Sequence, residues 1–311
     1  MANLRALITG IDGFVGKYLA RYLLGMGYKV YGTTIIKGYS HGQVEIYHMD
    51  VLEISNVKQV IQEIMPNEIY HLAGQSAVGL SWGNPTLTMS VNINGTINLL
   101  DATREYCKNA KVLIIGSSDQ YGMIKAQDCP VSEENSLNPC SPYAISKCAQ
   151  EQIATLYINS YNMNIIRVRA FNHIGPGQAT NFVIPDFANK IVEIERGANP
   201  ILKVGNLEAY RDFTDVRDIV VGYYLLMQKG SVKKIYNIGS GTTVKIADIL
   251  ALLLSMSNTA ITVEIDKDKL RPIDVPIIQC DNTKIIKDTG WKIEYNLETT
   301  LKDVIEECRR K

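Results

Sequence analysis

The 311 residues carry 32 lysines and arginines against 32 aspartates and glutamates, and 46% are hydrophobic. A formal charge of zero excludes a bulk field that would draw nucleic acid or an anionic membrane, so any anion site must be local. No apolar run approaches the roughly 18 residues of a membrane span. The start lacks a signal-peptide layout, and six cysteines without short paired spacing suggest neither a zinc site nor a disulfide frame. A cytoplasmic protein with reduced thiols and no metal is expected.

In chain order, residues 4–9 (LRALIT) read as a strand, 13–27 as a helix closing on glycine, 28–34 as a second strand and 44–50 as a third. A helix over 57–65, a strand over 68–74 and a long helix over 91–107 follow. Strands over 111–118 and 163–172 then flank a helix over 143–161. Strand–helix alternation with β-branched strands indicates an α/β protein with a doubly wound parallel sheet. After about residue 172 the pattern loosens. Residues 171–181 are a loop by their Gly and Pro content, 182–197 a helix, 236–241 a strand, and 243–256 and 296–310 helices, the last amphipathic. The expected organisation is a dinucleotide-binding domain over 1–171, to which segments around 213–240 return. A smaller C-terminal α/β substrate-binding domain occupies most of 172–311.

The stretch TGIDGFVG places Gly10, Gly13 and Gly16 three apart between the first strand and the first helix. Gly10 permits the tight turn, Gly13 lets backbone approach a pyrophosphate, and Gly16 lets helix and strand pack closely. The helix N-terminus offers free N–H groups and a positive dipole end to phosphate. Strand–turn–helix context makes this a Rossmann-type dinucleotide site rather than a bare glycine turn. An NAD site usually has an acid at the end of the second strand. Here that place reads YGTTIIKG, with Thr33, Thr34 and then Lys37, which suits a 2′-phosphate. NADP(H) is therefore expected, with NAD(H) as the alternative.

In SPYAISK, Ser141 caps a helix, Pro142 suits its first position, and Tyr143 and Lys147 fall one turn apart on the same face. A neighbouring ammonium favours phenolate and would lower a phenol's pKa from its usual value of about 10. By itself the pair is also what any amphipathic helix provides.

Taken in order, TGIDGFVG, HLAGQS, NINGT, GSS and YAISK resemble the extended short-chain dehydrogenase/reductase family over essentially the whole chain. The resemblance implies Tyr143 as proton donor or acceptor, Lys147 as its tuning partner and ribose ligand, and Ser117 bonded to the reacting oxygen. It implies a cofactor site of Gly10, Gly13, Phe14, Val15, Gly16, Thr33, Asp50, Val51, Leu72, Ala73, Tyr143 and Lys147, with Asn92 in the supporting network. FNHIGPGQ, VGNLEAYRDFTDVRDI and RPIDVP resemble the branch that handles GDP-mannose, which implies a GDP-sugar substrate held by Asn172, Arg211 and Arg271. The structural alternatives are an ion pair of Arg211 with Asp212 or Asp215, and a loop charge at Arg271. A homodimer through helices around 92–107 and 143–161 is implied as well.

Within that branch, the 4,6-dehydratases carry a Thr-x-Glu pattern whose glutamate removes a proton from C5. Here Ser117, Ser118 and Asp119 stand in its place, with a carboxylate one methylene shorter. Asp119 then reads as a loop or positioning residue, with Ser118 and Asp119 as accessory groups. The expected reaction is reduction of the C4 keto group of GDP-4-keto-6-deoxy-D-mannose to a GDP-6-deoxyhexose. GDP-mannose 4,6-dehydration and 4-epimerisation are the alternatives among enzymes. A dinucleotide-binding scaffold or redox sensor is the alternative of another class. His173 is given no task.

Overall fold

The computed structural model describes residues 4–270 and 273–311. The chain begins β1 (Arg5–Thr9), α1 (Phe14–Gly25), β2 (Lys29–Thr34), β3 (Glu45–His48), α2 (Ile54–Ile64) and β4 (Glu68–His71). Short helices α3 (Val78–Gly83) and α4 (Pro85–Met89) run through a π turn at Ser90–Asn94 into α5 (Gly95–Tyr106). Next come β5 (Lys111–Ser117), α6 (Pro142–Tyr161), β6 (Asn164–Ala170) and β7 (Asn172–Ile174). The later elements are α7 (Val183–Glu195), β8 (Ile201–Val204), β9 (Tyr210–Arg211), β10 (Phe213–Asp215), α8 (Val216–Lys229) and β11 (Ile235–Ile238). Then follow β12 (Val244–Lys245), α9 (Ile246–Ser255), β13 (Thr262–Ile265), β14 (Ile277–Ile278), α10 (Thr283–Thr289) and α11 (Leu297–Arg310).

Seven strands form one parallel sheet in the order β11-β6-β5-β4-β1-β2-β3. Its strands are apolar on both faces because both are covered. On one face α1 and α8 bury Leu19, Leu23, Ile219 and Leu226; on the other α2, α5 and α6 bury Val57, Ile61, Leu99 and Ile158. The helices earn these places by periodicity: α2 turns Val57, Val60, Ile61 and Ile64 to one side. Strand order reverses between β1 and β4, and such a switch point opens a crevice at the carboxyl ends of the strands.

A separate apolar cluster gathers Phe187 and Ile191 of α7, Leu250 and Leu253 of α9, and Leu301 and Val304 of α11. Three details depart from the sequence expectation. The long helix over 91–107 is broken by the π turn; Asn172–Ile174, expected as loop, pairs in parallel with Phe213–Asp215; and Val244–Lys245 pairs with β9 before α9 begins. Each exception is a short pairing or bulge set by a distant segment, which local composition does not encode.

Candidate active site

The strand ends open onto one continuous cleft of about 1530 Å³, well above the volume usual for a single small ligand. Its wall includes every described residue assigned above to cofactor, substrate or chemistry; Asn92 sits behind it, and the helix start Ser141–Pro142 and Lys37 lie outside the lining. Lys37 lies on the exposed turn after β2, outside the cleft lining, while Thr33, Thr34 and Ile35 take part in it. Arg271 lies outside the described residues.

At one end the glycine turn leaves β1 with Gly10 at φ +69°, and a Cβ there would stand 2.9 Å from the Ala73 backbone. Helix α1 starts at Gly13 with no side-chain cap, so its first N–H groups remain for a ligand. A cradle made of backbone, too close for a side chain, fits the diphosphate of a dinucleotide. Asp50 closes the adjacent wall, its Oδ1 accepting from the Leu52 N–H at 2.9 Å.

The chemical end is assembled from β5, α5 and α6. Ser141 caps α6 by accepting from the Ala144 N–H, Pro142 follows, and Tyr143 and Lys147 come to lie buried over the end of β5. Ser117 ends β5 and caps the turn Ser118–Tyr121. Its Oγ accepts from the Asp119 N–H at 3.2 Å and donates to the Asp119 carboxylate at 3.3 Å. The Ser117 N–H donates to Gln120 Oε1, and Gln120 Nε2 donates to Glu151, which the Arg169 guanidinium grips with two bonds of 2.7 and 2.8 Å. A buried ion pair thus fixes the loop that carries Ser117.

Lys147 donates to the Ile115 carbonyl and to Gln150 Oε1, with Nζ 5.9 Å from the Tyr143 ring centre. The lysine-lowered phenol expected from the motif is not what this arrangement gives. Burial raises the Tyr143 phenol, Asp119 raises it further, and only the Ser117 hydroxyl lowers it. Burial also brings Lys147 down to about 8. Desolvation outweighs a cation that is turned towards a carbonyl and an amide.

Behind Lys147 the polar groups continue inward. Gln150 Nε2 donates to Thr96 Oγ1, and Thr96 in turn donates to the Asn92 carbonyl. With its proton so engaged, Thr96 accepts from His71 Nε2, and His71 Nδ1 accepts from Thr9. His71 is held neutral by burial, with Lys147 adding to the effect, down to about 3. Asn92, in the π turn, accepts from the Gln75 N–H at 2.8 Å and donates to Ser146. A Cβ on Gly74 would strike its Oδ1. Gln120, Glu151, Arg169, Gln150, Thr96 and His71 were not singled out by sequence reasoning. The local traces were HLAGQS and NINGT, in which His71 and Thr96 are single letters of a motif.

At the far end Arg211 donates to Asp274 at 2.7 Å. The two aspartates considered from the sequence are engaged with other groups. Asp212 is buried and accepts from Ser240, Gly241 and Cys280, whereas Asp215 binds Arg217 and Thr300. Asn172 lines the cleft and donates to the Asp212 carbonyl at 3.4 Å. His173 is half-buried, stacked on Phe14 and tied to the Phe171 carbonyl. Among the described residues no group of His, Cys, Asp and Glu could hold a metal ion, and no helix is long and apolar enough to cross a membrane.

A parallel sheet with a glycine cradle at its switch point, and a Ser–Tyr–Lys group facing the same cleft, defines a Rossmann-type oxidoreductase that uses a nicotinamide dinucleotide on a nucleotide sugar. The chain belongs to the GDP-mannose 4,6 dehydratase family, whose pattern matches residues 7–304. It is 31% identical to GDP-6-deoxy-D-mannose reductase of Pseudomonas aeruginosa over 97% of this chain and 96% of that one. It is also 31% identical to GDP-mannose 4,6 dehydratase 2 of Arabidopsis thaliana, over 97% of this chain and 86% of the relative. Among solved structures, RMD from Pseudomonas aeruginosa complexed with NADPH superposes with a TM-score of 0.87 at 29% identity, covering 99% of both chains. UDP-glucose 4-epimerase of Thermus thermophilus in complex with NAD gives 0.87 at 25%, covering 98% of this chain and 99% of that one. The similarities support a role as GDP-sugar 4-keto reductase or dehydratase.

Proposed function

We propose that the protein reduces the C4 keto group of GDP-4-keto-6-deoxy-D-mannose to a GDP-6-deoxyhexose, using NADPH. The observation that carries this reading is Asp119: its short carboxylate is folded back onto Ser117 Oγ, 3.3 Å away, within the turn that Ser117 caps. Elimination across C5 and C6 needs a second base at the sugar, and a misplacement of about 1 Å can cost roughly 100-fold. Reduction of a ketone needs only an aligned carbonyl and one proton. The bound dinucleotide supplies the hydride. Tyr143, kept as a neutral phenol by burial, protonates the sugar's C4 oxygen, and Ser117 and the Lys147 ammonium stabilise the charge that develops there.

The glycine turn, Asp50 and the wall of Val51, Leu72 and Ala73 hold the dinucleotide, while Asn172 and Arg211 hold the GDP-sugar. For Arg211 this requires the diphosphate to share or displace Asp274. Residues 1–171, with segments around 213–240, serve the dinucleotide, and most of 172–311 serves the sugar nucleotide. The protein works in the cytoplasm as a homodimer through α5 and α6, where Ile145 and Leu156 stand exposed; light scattering tests the dimer. The activity test is stoichiometry. One NADPH should be oxidised per GDP-4-keto-6-deoxy-D-mannose. GDP-mannose with catalytic NADP⁺ should yield no 4-keto-6-deoxy sugar by NMR. Accumulation of that sugar would make Asp119 the base and the protein a dehydratase.

A further inference from the structure

Tyr223 stands two turns into α8, fully buried in the apolar cluster that includes Ile8, Leu113 and Ala170, and it borders the cleft. Its hydroxyl has no hydrogen-bond partner among the described residues. The neighbouring buried tyrosines behave otherwise: Tyr70 donates to Glu68 and Tyr121 to Asn237. Phenylalanine would fill the same apolar space without leaving a polar atom unsatisfied, and native proteins keep few such atoms. Burial raises the Tyr223 phenol, and charge on Tyr143 raises it further. Tyr223 shares its apolar cluster with Ala170, which pairs with Ser117 across β6 and β5, and this sets it towards the chemical end of the cleft.

Resting on the reading of this cleft as a nicotinamide dinucleotide site, we propose that Tyr223 Oη is a cofactor-binding group that hydrogen-bonds the carboxamide of the nicotinamide ring. A hydroxyl offers one donor and can accept. Set in an apolar wall, it matches a flat ring bearing a single amide. A sugar, with hydroxyls around its ring, would need several polar partners at the same depth. The consequence of the bond is orientation: holding the carboxamide fixes which face of the ring is turned towards the sugar.

The test compares Tyr223→Phe with wild type in two titrations, one with NADPH and one with 2′-phospho-ADP-ribose, which lacks the nicotinamide, together with the Tm of each ligand-free protein. NADPH affinity should fall about tenfold, the factor that ~1.4 kcal/mol of lost binding gives. Affinity for 2′-phospho-ADP-ribose should stay within about twofold, and the ligand-free Tm should hold or rise, since an unsatisfied hydroxyl is removed. Unchanged NADPH affinity, equal loss for both ligands, or a lowered ligand-free Tm would each overturn the assignment, the last marking a structural hydroxyl. Wild-type protein that binds neither ligand would instead overturn the dinucleotide reading itself.

Discussion

The two ends of the cleft are built by opposite means. The glycine end is contiguous in sequence and made of backbone: Gly10 to Gly16 turn between β1 and α1, and the backbone of Thr33, Leu72 and Ala73 closes on them from neighbouring strands. The chemical end is made of side chains drawn from β1, β4, α5, β5, α6 and β6, and bonds between residues far apart in the chain tie them together. His71 meets Thr9 and Thr96, Lys147 meets Ile115, and Glu151 meets Arg169. A backbone site tolerates replacement wherever there is room for a Cβ and fails abruptly where there is none. A side-chain network fails by degrees, according to which buried partner is left alone.

Variants can break this contrast. The largest effect is expected at Tyr143. Tyr143→Phe should lower kcat by roughly 100-fold or more, the usual worth of a general acid, with dinucleotide affinity nearly unchanged. Near-normal turnover of the folded variant would remove Tyr143 from the proton-donor role. Arg169→Met should cost about 3–5 kcal/mol of stability in a denaturant titration, because Glu151 would be left as an uncompensated buried charge. A loss as small as that of an exposed pair would mean that Glu151 takes up its proton easily or reaches water.

Gly10→Ala probes the backbone end. Its φ of +69° adds roughly 1–2 kcal/mol of strain for an L-residue, and the new methyl would press on Ala73. Dinucleotide affinity should fall at least about tenfold while GDP-sugar affinity is kept; intact dinucleotide binding by calorimetry would show that the turn is not the phosphate cradle. Arg211→Ala should weaken GDP-sugar binding by roughly 10- to 150-fold, the factor that the roughly 1.5–3 kcal/mol of a charge-assisted bond gives, and spare NADPH. Equal loss of both ligands would place the arginine elsewhere.

The smallest effect is a pH limb. Lys147, at about 8 in the folded chain, is charged below that pH and neutral above it. Reductive kcat should therefore decline as pH rises through about 8. Stability should move the other way. Between about 8 and the unfolded lysine value near 10.4, the unfolded chain binds the extra proton, so folding gains as pH rises through that window. Lys147→Met should remove both trends, and a kcat profile unchanged in that variant would detach the limb from this lysine.

How much could be read in advance follows the same division. The alternation of strands and helices, the glycine turn, the capped start at Ser141 and the Tyr143–Lys147 pair are local patterns, fixed by periodicity, by conformations that only glycine adopts freely and by one helical turn. They were legible because neighbours in sequence remain neighbours in space. Tertiary structure decided what depended on distant partners. It set Lys147 towards Ile115 and Gln150 rather than towards lowering the Tyr143 phenol, and it gave Arg211 to Asp274 instead of to the aspartates beside it in sequence. It also bent the helix at Asn92 through a π turn and buried Tyr223 with an unpaired hydroxyl at the cleft wall. Burial is the common physical reason. Whether a charge or hydroxyl keeps its solution behaviour depends on which groups replace the water around it, and those groups come from segments that the local sequence does not name.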